Sequence, residues 1–72
     1  MLKYRSIDFK TVGKNIKQER LMQSLSRETL GGMANISGAT IGNIETDAEK
    51  VLFKNIVAIA KALDVSLVEL LY

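Results

Sequence analysis

The sequence contains no cysteine, no histidine and no proline among its 72 residues. Without cysteine no disulfide can hold the fold together. Without cysteine and histidine the chain lacks the commonest metal ligands, the usual acid/base group at neutral pH and the best nucleophile. The neighbouring carboxylates Asp47 and Glu49 would need a walled cleft to act in catalysis, and a domain of this size has little room for one. We therefore expect neither an enzyme nor a site for a metal or other cofactor.

A long apolar run is also absent. The first ten residues contain no apolar segment typical of a secretory signal, and no later run approaches the roughly 18 apolar residues that a membrane span needs. Hydrophobic residues make up 47% of the chain and charged residues 25%, which is typical of one folded domain. We expect a cytoplasmic domain that does not contact a membrane.

Positive charge is concentrated in the first third of the chain. Residues 1–23 include six basic and two acidic residues, whereas residues 24–72 include four basic and six acidic ones. Such a distribution attracts phosphate groups, but it is equally typical of a solvated helix face that keeps a protein soluble. Charge alone leaves both interpretations open.

The apolar pattern predicts a helix-turn-helix after a first helix. That first helix follows Asp8, which is placed as its N-cap. Ser26 precedes a short helix of about residues 27–34, and Ser37 precedes the next one. Asn35, between them, suits the left-handed conformation that often ends a helix. Two short helices joined by such a turn form a helix-turn-helix.

The remainder of the chain predicts two more helices and no strand. A polar loop over residues 46–50 leads to a helix whose apolar positions, from Phe53 onward, are broad enough for a core element. Asp64 ends this helix, and Ser66 caps a last short one. The sequence therefore predicts five helices.

The segments VGKNIKQER, LSRETL, NIS..TI.NIE and IVAIAKALDVSLVELL follow one another at characteristic separations. In this order they resemble the lambda-repressor-like helix-turn-helix family, which includes phage Cro and repressor proteins and Xre-type regulators. The resemblance covers about residues 9–72 and leaves residues 1–8 as an N-terminal arm. It implies an all-α, compact five-helix domain that binds a palindromic operator in double-stranded DNA as a homodimer. Such a protein is a transcriptional regulator, and we expect a repressor.

The resemblance also implies a structural pair. Family members often pair an arginine late in the first helix with a glutamate at the end of the recognition helix, and Arg20 and Glu45 occupy matching positions. A partly buried pair of this kind would hold two helices in register. The alternative is two exposed charges that never meet.

The outer face of the predicted recognition helix has almost no long side chains, where relatives usually have arginine, lysine, glutamine or serine. Asn43 can pair with adenine, the glycines let the backbone approach the bases, and an alanine or a threonine methyl can touch a thymine methyl. Phosphate contacts would then supply most of the affinity, with Lys3 and Arg5 of the arm as further candidates. The predicted base contacts are Gly38, Ala39, Thr40, Gly42 and Asn43, and the predicted phosphate contacts are Arg27, Ser37, Lys50 and Lys14.

The glycines of this face are also compatible with protein docking or with decay of the helix. Glycines four residues apart let a helix of another protein approach, which would make the chain a protein-interaction module such as an antitoxin or anti-repressor subunit. Alternatively the helix is decaying, because each glycine costs up to about 1 kcal/mol relative to alanine in a helix interior.

Apolar residues near the fourth helix and the C-terminus predict a dimer interface. Folding of the C-terminal residues back onto the core is the alternative. No effector domain fits in the remaining residues, so we expect control through concentration or a protein partner and no small-molecule effector. The predicted interface residues are Val51, Leu52, Leu67, Leu70, Leu71 and Tyr72.

Overall fold

The computed structural model describes residues 7–72, which form five α-helices and one short 3-10 helix. No strand occurs in this range, so the predicted all-α class is confirmed. Lys3 and Arg5 of the predicted arm lie outside the described residues. No described helix is both long and apolar enough to cross a membrane. The α-helices are α1 (Phe9–Met22), α2 (Arg27–Ala34), α3 (Gly38–Thr46), α4 (Phe53–Leu63) and α5 (Leu67–Leu71).

Four of the five α-helices begin with a side-chain cap, as the sequence predicts. Asp8, Ser26, Ser37 and Ser66 each accept a hydrogen bond from a backbone N–H in the first turn of α1, α2, α3 and α5. These bonds satisfy N–H groups that have no partner within the helix. Helix α4 is the exception, because Leu52 occupies its N-cap position and offers no side-chain oxygen.

Left-handed C-cap residues end α2 and α4. Asn35 follows α2 with φ 59° and ψ 44°, and Asp64 follows α4 with φ 57° and ψ 44°. Both positions are the predicted helix ends. Asparagine and aspartate adopt this conformation at lower cost than most other residues, so the chain can reverse without a glycine at either place.

The segment predicted as a polar loop is more ordered than the sequence suggests. Thr46 is the last residue of α3, and Ala48–Lys50 form the 3-10 helix. The side chain of Asp47 accepts a hydrogen bond from the Glu49 N–H at 3.2 Å. Ala48 is buried in the core, so an apolar contact attaches this connection to the domain. The mostly polar sequence of the segment does not indicate this contact.

The core lies between all five α-helices and is apolar. Two side-chain amides donate hydrogen bonds to the backbone of the last two helices. Gln23 donates to the Leu63 carbonyl of α4 at 2.7 Å, and Asn15 donates to the Leu70 carbonyl of α5 at 3.1 Å. Phe53 does not belong to the core, contrary to prediction, because it stands at the first position of α4 and is 58% exposed. The fully buried side chains include Val12, Ile16, Leu30, Ile41, Ile59, Leu63 and Leu70.

The C-terminal helix folds back onto the core. Leu70 is 1% exposed and Leu71 9%, so these two residues do not form the predicted dimer surface. They pack on the core instead, which is the alternative that the sequence leaves open. Their burial follows from the short amphipathic helix α5, whose apolar side packs on α1 and α4. Val51 and Leu67 are half-buried against the same core.

Candidate nucleic-acid interface

The two helices of the helix-turn-helix begin with the same local structure. In each, a serine at the N-cap accepts a hydrogen bond from the N–H of the threonine three residues later, and the serine hydroxyl donates to the threonine hydroxyl. The hydroxyl contacts measure 2.8 Å between Ser26 and Thr29 and 2.7 Å between Ser37 and Thr40. The start of each helix is thereby fixed, and N-terminal N–H groups of this kind favour an anion such as phosphate.

Two glycines allow α2 and α3 to pack closely. A Cβ atom at Gly31 would overlap the carbonyl oxygen of Ile36, and one at Gly38 would lie 2.9 Å from Glu28 Oε2 and 3.2 Å from Glu28 Cα. The side of Gly38 that a side chain would occupy therefore faces α2, whereas the sequence predicts Gly38 on the outer face of α3. Gly31 is required by this packing and Gly38 is favoured by it, so decay of the helix is not needed to account for them.

A buried ion pair joins α1 to the end of α3. Arg20 Nε donates to Glu45 Oε2 at 2.6 Å and Arg20 Nη2 donates to Glu45 Oε1 at 3.1 Å, while Arg20 Nη1 donates to the Leu25 carbonyl at 2.8 Å. The Arg20 side chain is 7% exposed and the Glu45 side chain 1%. The hydrogen bonds to Glu45 raise the pKa of Arg20 above its ordinary value. Three parts of the domain are thus held together, namely α1, α3 and the turn before α2.

Arg27 lies against the same carboxylate. Its Nε is 3.5 Å from Glu45 Oε1, and its side chain is 47% exposed. The side chain also covers Gly42, since a Cβ atom there would lie 3.5 Å from Arg27 Cδ and Nη1. The sequence predicts Arg27 as a phosphate contact at the start of α2, but it gives no sign that this side chain crosses to α3.

The outer surface of α3 is formed by short side chains. Ala39 and Asn43 are exposed, and Thr40 and Gly42 are half-buried. The Thr46 hydroxyl donates to the Gly42 carbonyl at 2.9 Å, so the last turn of the helix has an additional internal bond.

A shallow groove next to this surface brings predicted residues together. Thr40, Asn43 and Lys50 line it, and so does Asn55 of α4, which sequence reasoning missed because it lies far from the recognition helix along the chain. Lys14 is exposed on α1 and does not line the groove. The hydroxyl of Ser37 is engaged in capping α3, so its contact with a phosphate would compete with or share that bond.

Two capped helices joined by a left-handed turn, with one face of the second helix exposed beside basic residues, define a helix-turn-helix DNA-binding domain. The model of the helix-turn-helix family matches residues 16–70. The chain therefore belongs to the lambda-repressor-like, Xre-type helix-turn-helix family, and it is a DNA-binding transcriptional regulator. The predicted family and the predicted role as a DNA-binding transcriptional regulator are confirmed.

Solved structures of similar proteins have the same fold as this chain. The restriction-modification controller protein C.AhdI from Aeromonas hydrophila is 30% identical, with a TM-score of 0.82 over 88% of this chain and 96% of that one. The wild-type restriction-modification controller protein C.Esp1396I is 29% identical, with a TM-score of 0.80 over 86% of this chain and 80% of that one. The clp gene regulator ClgR from C. glutamicum shares the fold at 15% identity, with a TM-score of 0.81 over 93% of this chain and 87% of that one. No curated protein matches the chain.

Proposed function

We propose that the protein binds a palindromic operator as a homodimer and represses transcription from it. The observation that supports this proposal is the division of α3 into two surfaces. Ile41, Ile44 and Glu45 are buried and fix the helix to the domain, whereas Ala39 and Asn43 are exposed. A helix held this firmly, with one free face, can enter a major groove without reorganisation.

Direct base contacts would be few. Asn43 can donate to adenine N7 and accept from the adenine N6 amino group, and Ala39 or the methyl of Thr40 can touch a thymine methyl. The short side chains of Ala39 and Thr40 allow the outer face of α3 to come close to the base pairs, whereas Gly42 is covered by Arg27. Specificity from α3 itself then rests mainly on Asn43.

Phosphate contacts would supply most of the affinity. The N-terminus of α2, Ser37 at the start of α3, Lys50 beside the groove and Lys14 on α1 are the candidates. Such contacts position a protein on DNA without reading its sequence.

The dimer interface would lie around the start of α4. Leu52 is 59% exposed in a position where a capping residue would stabilise the helix, and a second copy would cover it. We propose that Val51, Leu67 and Tyr72 also contribute to this interface. The similarity to two restriction-modification controller proteins supports a role for this chain as a controller of that kind, acting in the cytoplasm and regulated by its own concentration.

Selection of bound sequences from a random pool of duplex DNA tests this function, followed by titration of the selected duplex at several salt concentrations. We expect an inverted repeat bound by two chains, with affinity that falls steeply as salt rises because phosphate contacts release counterions. A flat salt response without a selected sequence would contradict DNA binding and favour the protein-interaction module.

A further inference from the structure

Arg27 belongs to α2, but its side chain lies on the surface of α3. The residue at the middle of α3 is Gly42, and the Arg27 guanidinium lies over the space into which a longer side chain would extend there. An ideal Cβ on Gly42 would lie 3.5 Å from Arg27 Cδ, 3.5 Å from Nη1 and 3.6 Å from Cζ, which are ordinary van der Waals distances. The arginine therefore replaces the side chain that α3 lacks at this position.

The guanidinium lies beside a buried carboxylate and is still accessible. Its Nε faces the buried Glu45 carboxylate at 3.5 Å, which is longer than a hydrogen bond, and the side chain is 47% exposed. Glu45 already accepts two hydrogen bonds from Arg20. The cluster of two arginines and one glutamate has a net positive charge, and terminal N–H groups of Arg27 are available to a ligand outside the fold.

We infer that Arg27 is a specificity-determining residue that reads a guanine in the major groove, beside the base pair contacted by Asn43. This inference rests on the proposed insertion of α3 into that groove. A planar guanidinium matches the O6 and N7 acceptors of guanine with two parallel hydrogen bonds. A side chain longer than alanine at position 42 would extend into the space that the arginine occupies on α3, and the ion pair with Glu45 limits the conformations of the long arginine side chain before DNA binds.

The test compares the wild type with Arg27→Ala and Gly42→Leu in selection from a random duplex pool, followed by titration of duplexes that vary one base pair at a time. The wild type should require a guanine at one position of each half-site, with a loss of about tenfold or more for other bases. Arg27→Ala should bind all four base pairs at that position within about twofold, while the preference at the other positions persists. Gly42→Leu fills the space over α3 and should lose the same preference.

Two further measurements separate the outcomes. Lys50→Ala is the matched control, because loss of a phosphate contact should weaken all duplexes alike and leave the selected sequence unchanged. In the Arg27→Ala background, Gly42→Leu should cause no further change at the guanine position. If Arg27→Ala behaves like Lys50→Ala, the arginine is a phosphate contact and the inference is wrong. If the wild type selects no sequence at all, the proposed function fails and the role of Arg27 fails with it. Circular dichroism of each variant shows whether the domain remains folded.

Discussion

Arg20 and Glu45, 25 residues apart in the chain, form a buried two-pronged ion pair in which the shorter contact is 2.6 Å. Arg20 is on α1 and Glu45 on α3, so the pair sets the position of the recognition helix relative to the rest of the domain. At the same crossing, a Cβ atom on Gly13 would lie 2.7 Å from the Ile44 and Glu45 carbonyl oxygens. Backbone contact and charge pairing therefore act together at this point.

Arg20→Ala should destabilise the domain by about 3–5 kcal/mol, because it leaves the Glu45 carboxylate buried with only the longer contact to Arg27. Lys17→Ala removes an exposed basic residue from the same helix and should change stability by no more than about 0.5 kcal/mol. Urea denaturation of the two variants measures the difference. Equal midpoints would show that the ion pair does not contribute to stability.

The adjacent glycines of α2 offer a matched comparison of packing. A Cβ atom at Gly31 would overlap the Ile36 carbonyl oxygen, so Gly31→Ala should destabilise the domain by about 1–3 kcal/mol or more. A Cβ atom at Gly32 meets nothing within 4 Å, and Gly32→Ala should stabilise it by up to about 1 kcal/mol. Thermal denaturation should therefore shift in opposite directions. A shift of the same sign in both variants would contradict the close packing at the turn.

Leu52→Asp should separate folding from dimerisation. Aspartate at the N-cap of α4 can accept a hydrogen bond from the first turn and should stabilise the monomer by about 1 kcal/mol. In an apolar interface the same charge is costly, so the dimer should dissociate. Sedimentation without DNA measures the association, and urea denaturation at low protein concentration measures the stability of the monomer.

The control for this substitution is Met33→Asp, which places the same charge at an exposed apolar residue of α2 outside the proposed interface. It should leave the association unchanged. A wild-type protein that remains monomeric at high concentration would remove the support for an interface around Leu52.

Asn43→Ala should reduce affinity for the preferred duplex by about 1–3 kcal/mol and affinity for unrelated DNA by much less. The reason is that a base contact is lost while the phosphate contacts are retained. Fluorescence anisotropy with both duplexes gives the ratio of the two affinities. An unchanged ratio would mean that Asn43 does not read a base.

Local features of the structure could be predicted because each depends on a few neighbouring residues. The serine and aspartate caps, the left-handed Asn35 and the extent of α2 all follow from short-range chemistry. The family resemblance added the partnership of Arg20 and Glu45, which no local pattern contains. Phe53 is exposed although the sequence predicts it in the core, and Ala48 is buried although the sequence predicts it in a polar loop. Apolar periodicity does not show where neighbouring helices end or which connection reaches the core.

The sequence by itself determined the helical class, the starts of the four capped helices and the presence of a helix-turn-helix, since hydrophobic period and capping act within a few residues of each other. Tertiary structure decided what the glycines and Arg27 do. The side of Gly38 that a side chain would occupy faces Glu28, Gly42 lies under Arg27, and Leu70 is buried in the core, because each depends on how closely separate helices approach. A helical wheel gives the direction of a residue around its own axis, but only the packed domain shows which neighbour occupies that direction.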